Sequence, residues 1–337
     1  MIPFGIHDLV IKQPTPDRTL VPCYVRGCGE VLTVPSRKKR GSYCPAHGIK
    51  CFARIVPTYA YLDASQNIIV DRFEFRTKLL GHPFKFESHR LGYERSEDAL
   101  TWNVFKSIHS NGLLGVFVEQ FVGFRPSTYP DLYLWGINMD SYQPWDLLIM
   151  ARQRFESNLP VERPLTEPDI AIHVPGELIL LIEAKFTSTN PFYGRGKRAN
   201  AQSLTLDELV SIYQAKEVQS LDLPKAEEAV RIHYQLWRNL VFAEWMATMD
   251  STSTQFQVLN LVCQESENQS LPEFCQLLQQ PSLSPVKRIE WESIHAWARQ
   301  RNLDPLDQYM EQKTSALKPA FATKTAGSEC TAPQFGH

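Results

Sequence analysis

The chain has 337 residues, 43% of them apolar and 21% charged, with a formal net charge of -2. That length allows about two to three domains, and the composition is ordinary for a soluble globular protein. No run of about 18 apolar residues occurs and the N-terminus lacks the basic-then-apolar layout of a signal peptide, so a transmembrane helix is not expected and a soluble, cytoplasmic protein is. The total is not strongly basic, but the charge is uneven. Residues 1–60 carry nine basic and three acidic residues, a net +6, which leaves -8 on the remainder. A basic module beside a mildly acidic body fits phosphate binding by the small part, and fits an ordinary solvated surface as well.

Residues 1–57 hold few long periodic elements and most of the cysteines. Cys23, Cys28, Cys44 and Cys51 are four of the seven cysteines in the chain. Such clustering without a secretory signal favours metal over disulfides. The spacing Cys23-x4-Cys28-x15-Cys44-x2-His47 supplies two short ligand pairs, three thiolates and one imidazole, which suits tetrahedral Zn²⁺; Cys51 is an alternative to His47 as the fourth ligand. Gly27 and Gly29 flank Cys28, as the tight backbone of a knuckle requires. Between the pairs lie Arg37, Lys38, Lys39 and Arg40, a run that suits nucleic-acid phosphates or a protein surface.

Residues 58–312 interleave strands and helices, which predicts an α/β layered domain. "RIVPTYAYLDASQNIIVDRFEFR" reads as two strands around a turn at Asp63 to Asn67. "SEDALTWNVFKSIHSNG" reads as a helix with Ser96 as N-cap and Asn111-Gly112 as its stop. "LLGVFVEQFVGF" is a strand or a short helix, and a helix is expected from Trp145 to Ser157. "TLDELVSIYQAKEVQ" and "PKAEEAVRIHYQLWRNLVFAEWMATM" are predicted helices, "TQFQVLNLVCQ" a strand, and "VKRIEWESIHAWARQR" a strand end running into a helix. Residues 313–337 have the composition of a disordered tail.

The most informative stretch is "EPDIAIHVPGELILLIEAKF", Glu167 to Phe186. Two apolar strands flank "PGE". With Pro175 to Glu177 as the loop, Val174 faces Leu178 and Asp169 falls opposite Glu183. Lys185, two positions past Glu183, shares its face. Two carboxylates so close repel unless one is protonated or a cation sits between them. Hard oxygen ligands suit Mg²⁺ or Mn²⁺, and a neighbouring Lys suits metal-assisted phosphodiester hydrolysis.

The pattern Pro168-Asp169-x13-Glu183-Ala184-Lys185 resembles the core signature of the PD-(D/E)xK nuclease superfamily, with its restriction-endonuclease-like fold. The resemblance covers about half of the chain. It implies a central mixed sheet flanked by helices, here with the small N-terminal zinc module, and a Mg²⁺-dependent deoxyribonuclease. Asp169 and Glu183 would bind the metal and Lys185 would assist the attacking water. Glu97, on the preceding helix with Leu100, Val104 and Ile108, would be a further metal ligand; its other reading is a first-turn acid stabilising the helix dipole. Gln235 would stand beside the site from the following helix, and Arg195, Lys197 and Arg198 would contact phosphates or form a solvated loop. "YCPAH" is similar to zinc knuckles of HNH-type nucleases. Double-stranded DNA is then the expected partner, with a homodimer as a further expectation and restriction, defence or repair as the setting. The alternatives are a catalytically inactive nucleic-acid-binding protein on the same fold and a zinc-dependent interaction module.

Overall fold

A computed structural model describes residues 19–33, 41–51, 59–61, 63–75, 77, 91–157, 166–194, 206–213, 218–229, 231–264, 270–281 and 284–313. The chain forms two compact units, one of residues 1–103 with 294–337 and the other of 104–293. Among the described residues no helix is long and apolar enough to cross a membrane.

The first unit begins with short antiparallel pairs. Leu20–Pro22 pairs with Val31–Thr33, and Ser42–Tyr43, Lys50–Cys51 and Tyr59–Ala60 form a three-stranded sheet. Alternation buries Val21 and Leu32 and leaves their neighbours exposed, so a small core gathers around the cysteines with Tyr24, Ile49 and Tyr61. The expected second strand after Asp63 does not form. Asp63 accepts a hydrogen bond from the Ser65 amide and starts a 3₁₀ turn, Ala64–Asn67, and a short helix follows at Arg72–Glu74. Asparagine side chains bond this segment elsewhere instead: Ile69 N–H donates to Asn103, and Asn67 donates to the carbonyls of Leu91 and Tyr93. The first unit also takes a helix over residues 304–313 from the far end of the chain. Lys313, where the tail was expected to begin, is the buried end of that helix, and the rest of the tail lies outside the described residues.

The second unit is built on a six-stranded mixed sheet. Its order is Val286–Glu290, Gln255–Val262, Leu178–Ala184, Ile170–Val174, Asp131–Leu134, Ile137–Asn138. The first three run parallel and the remaining pairings are antiparallel. Every position of Ile170–Val174 and Leu178–Ala184 is buried, which explains their unbroken apolar runs. The hairpin has the predicted register, Val174 opposite Leu178 and Ile170 opposite Ile182, and Gly176 takes the left-handed turn position at φ 74°.

Helix Tyr234–Asp250 crosses over between the parallel strands and packs on both. Its buried side, with Trp237, Leu240 and Val241, shares a core with Ile179, Leu181 and Val258. The single long helix expected from Pro224 divides. Helix Leu223–Glu228 is capped by Asp222, the chain then runs as a strand at Arg231–Ile232, and the second helix starts at Tyr234. The break arises because Arg231–Ile232 pairs with Tyr193–Gly194, a long-range partner that local helix propensity cannot signal. "LLGVFVEQFVGF" resolves as helix Leu114–Val122, and helix Asp146–Glu156 stands where a helix was expected.

Candidate active site and candidate metal centre

The carboxylates and the lysine lie at the end of the sheet where the parallel strands finish. Glu183 and Lys185 share a face with Ile179 and Leu181, the face covered by helix Tyr234–Asp250. Glu183 is 2% exposed and Lys185 7%, so two charges are held almost wholly out of water. Such groups need partners. Lys185 Nζ lies 2.5 Å from Glu183 Oε1 and 4.0 Å from Asp169 Oδ2. The other Glu183 oxygen accepts a hydrogen bond from Asn239 Nδ2 at 2.9 Å. Asp169 Oδ2 accepts from the Ala184 amide at 2.8 Å, which fixes its side chain over the end of the partner strand.

The chain entering Asp169 is itself anchored. Glu156, at the end of its helix, accepts from the Thr166 amide at 2.8 Å and from Tyr213 Oη at 2.5 Å. Arg152 donates to the Thr166 carbonyl at 2.8 Å. On the far side, the Lys185 amide donates to the Leu261 carbonyl, and Trp291 Nε1 donates to the Lys185 carbonyl. Asp169, Glu183 and Lys185 thus stand on clamped backbone, and the structure brings these three predicted residues together.

Gln235 sits half-buried in the first turn of Tyr234–Asp250, and its buried Oε1 has no hydrogen-bond partner among the described residues. Asn239, one turn further on, is the residue that reaches Glu183. Its signal in the sequence was an amide inside the apolar stripe of "YQLWRNLVFAEW". Arg238 stacks over the Tyr234 ring at 5.1 Å. Burial pulls its guanidinium downward, but Tyr213, Glu156, Tyr234 and Glu183 outweigh this and hold it above the ordinary arginine value. Glu97 belongs to the first unit, half-buried in the first turn of helix Glu97–Ser110, while the Asp169–Glu183–Lys185 cluster belongs to the second. Ser96 accepts from the Ala99 amide, as an N-cap does. Arg37, Lys38, Lys39, Arg40, Arg195, Lys197 and Arg198 lie outside the described residues.

The second constellation is in the N-terminal sheets. Cys23, Cys28, Cys44 and His47 place one ligand atom each within 4.8 Å of one another. The Cys28 and Cys44 sulfurs are 3.8 Å apart, and His47 Nδ1 is 3.8 Å from Cys23 Sγ and 3.6 Å from Cys44 Sγ. Tetrahedral coordination with Zn–S near 2.3 Å puts sulfurs about 3.8 Å apart, so the cluster has the geometry to hold a metal ion such as zinc. Each ligand pair sits in a turn that closes an antiparallel pair. Cys28 N–H donates to the Val25 carbonyl with Gly27 at φ 76°, and Gly48 N–H donates to the Cys44 carbonyl with Gly48 at φ 69°.

Of the two residues open for the fourth position, His47 joins the cluster and Cys51 does not. Cys51 is fully buried, and its hydrogen bond, then burial, pushes the Cys23 thiol far above the ordinary range. Burial, followed by its cysteine neighbours, raises the Cys28 thiol to about 11. A bound cation relieves that crowding by stabilising the thiolates.

A second group, His295, Asp307 and Glu311, also converges in the first unit. There Arg299 already bridges the carboxylates, at 3.0 Å from Asp307 and 2.8 Å from Glu311, so the group reads as an ion-pair clamp between two helices. No family model, curated protein or solved structure matches the chain.

Proposed function

We propose that the chain is a divalent-metal-dependent nuclease that hydrolyses DNA phosphodiester bonds, with a zinc-bound N-terminal module that contacts the nucleic acid. The observation that carries this reading is the meeting of Asp169, Glu183 and Lys185 at the end of one hairpin. Structural stability alone is a poor reason to bury two carboxylates and one ammonium there, since a well-packed apolar trio would do as well.

The donor set fits a hard cation. Two carboxylates supply the oxygen donors that Mg²⁺ or Mn²⁺ takes, beside the Lys185 ammonium and the Arg238 guanidinium, whose field reaches Glu183. Asp169 and Glu183 would hold the ion, which would neutralise charge developing on the phosphate. Lys185, already beside both carboxylates, would orient the attacking water or accept its proton. Asn239 holds Glu183 in place through its side-chain amide, bonded to Oε2, and leaves Oε1 to the lysine. The zinc in the Cys23, Cys28, Cys44 and His47 cluster would be structural, because all four positions are protein ligands.

Incubation of supercoiled plasmid with the full chain and Mg²⁺ or Mn²⁺ tests this. Cleavage is expected, with Asp169→Ala and Lys185→Ala each reducing it roughly 10²–10⁴-fold while circular dichroism stays unchanged. Absence of cleavage of DNA and RNA by the wild-type chain with either ion sinks the enzyme reading.

A further inference from the structure

Helix Tyr234–Asp250 brings a second cation toward the carboxylates. Asn239 donates to Glu183 Oε2, and Arg238 precedes it by one residue. Arg238 lies within electrostatic reach of Glu183, Glu156 and Arg152. Among the described residues its side chain makes no hydrogen bond and no ion pair, and its Nε is shielded from water without a partner. A shielded guanidinium nitrogen without an acceptor is costly, and folded proteins keep few such groups.

Both nearby glutamates are already engaged. Glu183 divides its oxygens between Lys185 and Asn239. Glu156 accepts from the amide and hydroxyl of Thr166 and from Tyr213. Gln235, one turn before Arg238, also has a shielded Oε1 without a partner, and the two side chains do not bond each other. What holds the guanidinium is the Tyr234 ring, with its central carbon 5.1 Å from the ring centroid. Stacking uses the flat face of a guanidinium and leaves its N–H edge to an acceptor.

We propose that Arg238 is a substrate-binding residue: its N–H edge receives the non-bridging oxygens of a nucleic-acid phosphate at the Asp169–Glu183 cation site. The inference rests on the nuclease reading above and adds to it the side chain that meets the phosphate. A phosphate fits because two parallel N–H donors match two oxygens of one anion. It also fits the local charge. Asp169, Glu183, Glu156 and Glu167 exceed Arg152, Lys185 and Arg238 by one negative charge, which a divalent ion reverses. The phosphate contact is therefore made once the cation is bound.

The test uses the full chain and a fluorescent oligodeoxynucleotide, single-stranded and duplex, with Ca²⁺ in place of Mg²⁺ so that binding is read on uncut probe. In fluorescence anisotropy Arg238→Met should bind roughly 10- to 150-fold more weakly than wild type, the loss of one charge-assisted contact. The slope of log K against log salt should become shallower by about 0.7–0.9, one phosphate fewer. Arg238→Lys should keep the slope and recover part of the affinity, because an ammonium lacks the fork. Urea unfolding without probe separates this role from a structural one. Arg238→Met should be at least as stable as wild type, since it removes an unpaired charge and keeps the bulk. A destabilised methionine variant, or one with wild-type affinity and salt slope, overturns the proposal; plasmid cleavage by the wild-type chain leaves the nuclease reading standing in either case. Arg238-dependent binding in a chain that cuts nothing supports the phosphate contact and sinks the nuclease. Failure of the wild-type chain to bind either probe with Ca²⁺ overturns the phosphate contact.

Discussion

Glu183 shows how one side chain ties the sheet to the helix above it. Its oxygens are divided between Lys185 at 2.5 Å and Asn239 at 2.9 Å, and it is buried. A hydrogen bond to a buried charge contributes more than a neutral one, so Asn239→Ala should lower unfolding free energy by about 1.5–3 kcal/mol in urea denaturation. Asn239→Asp should cost more, since it sets a like charge against Glu183. Equal stability of the alanine variant and wild type would show that Lys185 alone satisfies the carboxylate. Asp169, Glu183 and Lys185 were legible in the sequence because a hairpin register is arithmetic once the turn is identified. Asn239 was not, because the rotation of a helix about its axis depends on what it packs against, and Gln235 looked equally well placed.

At the scale of elements, local chemistry decided correctly where it was strong. "PGE" made a turn with Gly176 in the left-handed region, and Ser96 capped its helix. It failed where distant residues intervened, at the 3₁₀ turn Ala64–Asn67 and at the strand Arg231–Ile232 that interrupts a helical pattern. The N-terminal knuckles are the clearest case of spacing that became geometry. They predict about one tightly held zinc per chain by atomic emission after dialysis. Cys44→Ser should lose that metal and unfold the module, while Cys51→Ser should retain it, because Cys51 stands outside the ligand group. Metal binding must displace the protons of its cysteine and histidine ligands, so acidification should release the zinc. A Cys51→Ser chain without zinc would reassign the fourth ligand.

For the molecule as a whole, the first unit draws on both ends of the chain. Lys313 is buried, donates to Asn67 Oδ1 at 3.0 Å and to the Glu94 carbonyl at 2.6 Å, and lies over the Tyr309 ring. Burial lowers its ammonium from 10.5 to about 7. Between those values the unfolded chain binds a proton that the folded chain releases, so stability should rise with pH from about 7 toward 10. Above that, Tyr309, pushed up by burial, opposes the trend as the unfolded phenol ionises. The gain is up to about 3 kcal/mol, read as a rising denaturation midpoint, and Lys313→Met should flatten it. An unchanged slope in the methionine variant would assign the pH dependence elsewhere.

The sequence by itself determined the α/β character, the ligand spacing of the metal cluster, the register of the central hairpin and the meeting of two carboxylates with a lysine. These depend on periodicity and turn chemistry, which act over a few residues. Only the tertiary structure chose His47 over Cys51, placed Asn239 on Glu183 and divided the long helix. Those outcomes depend on contacts between segments tens of residues apart, where burial and long-range pairing outweigh local preference.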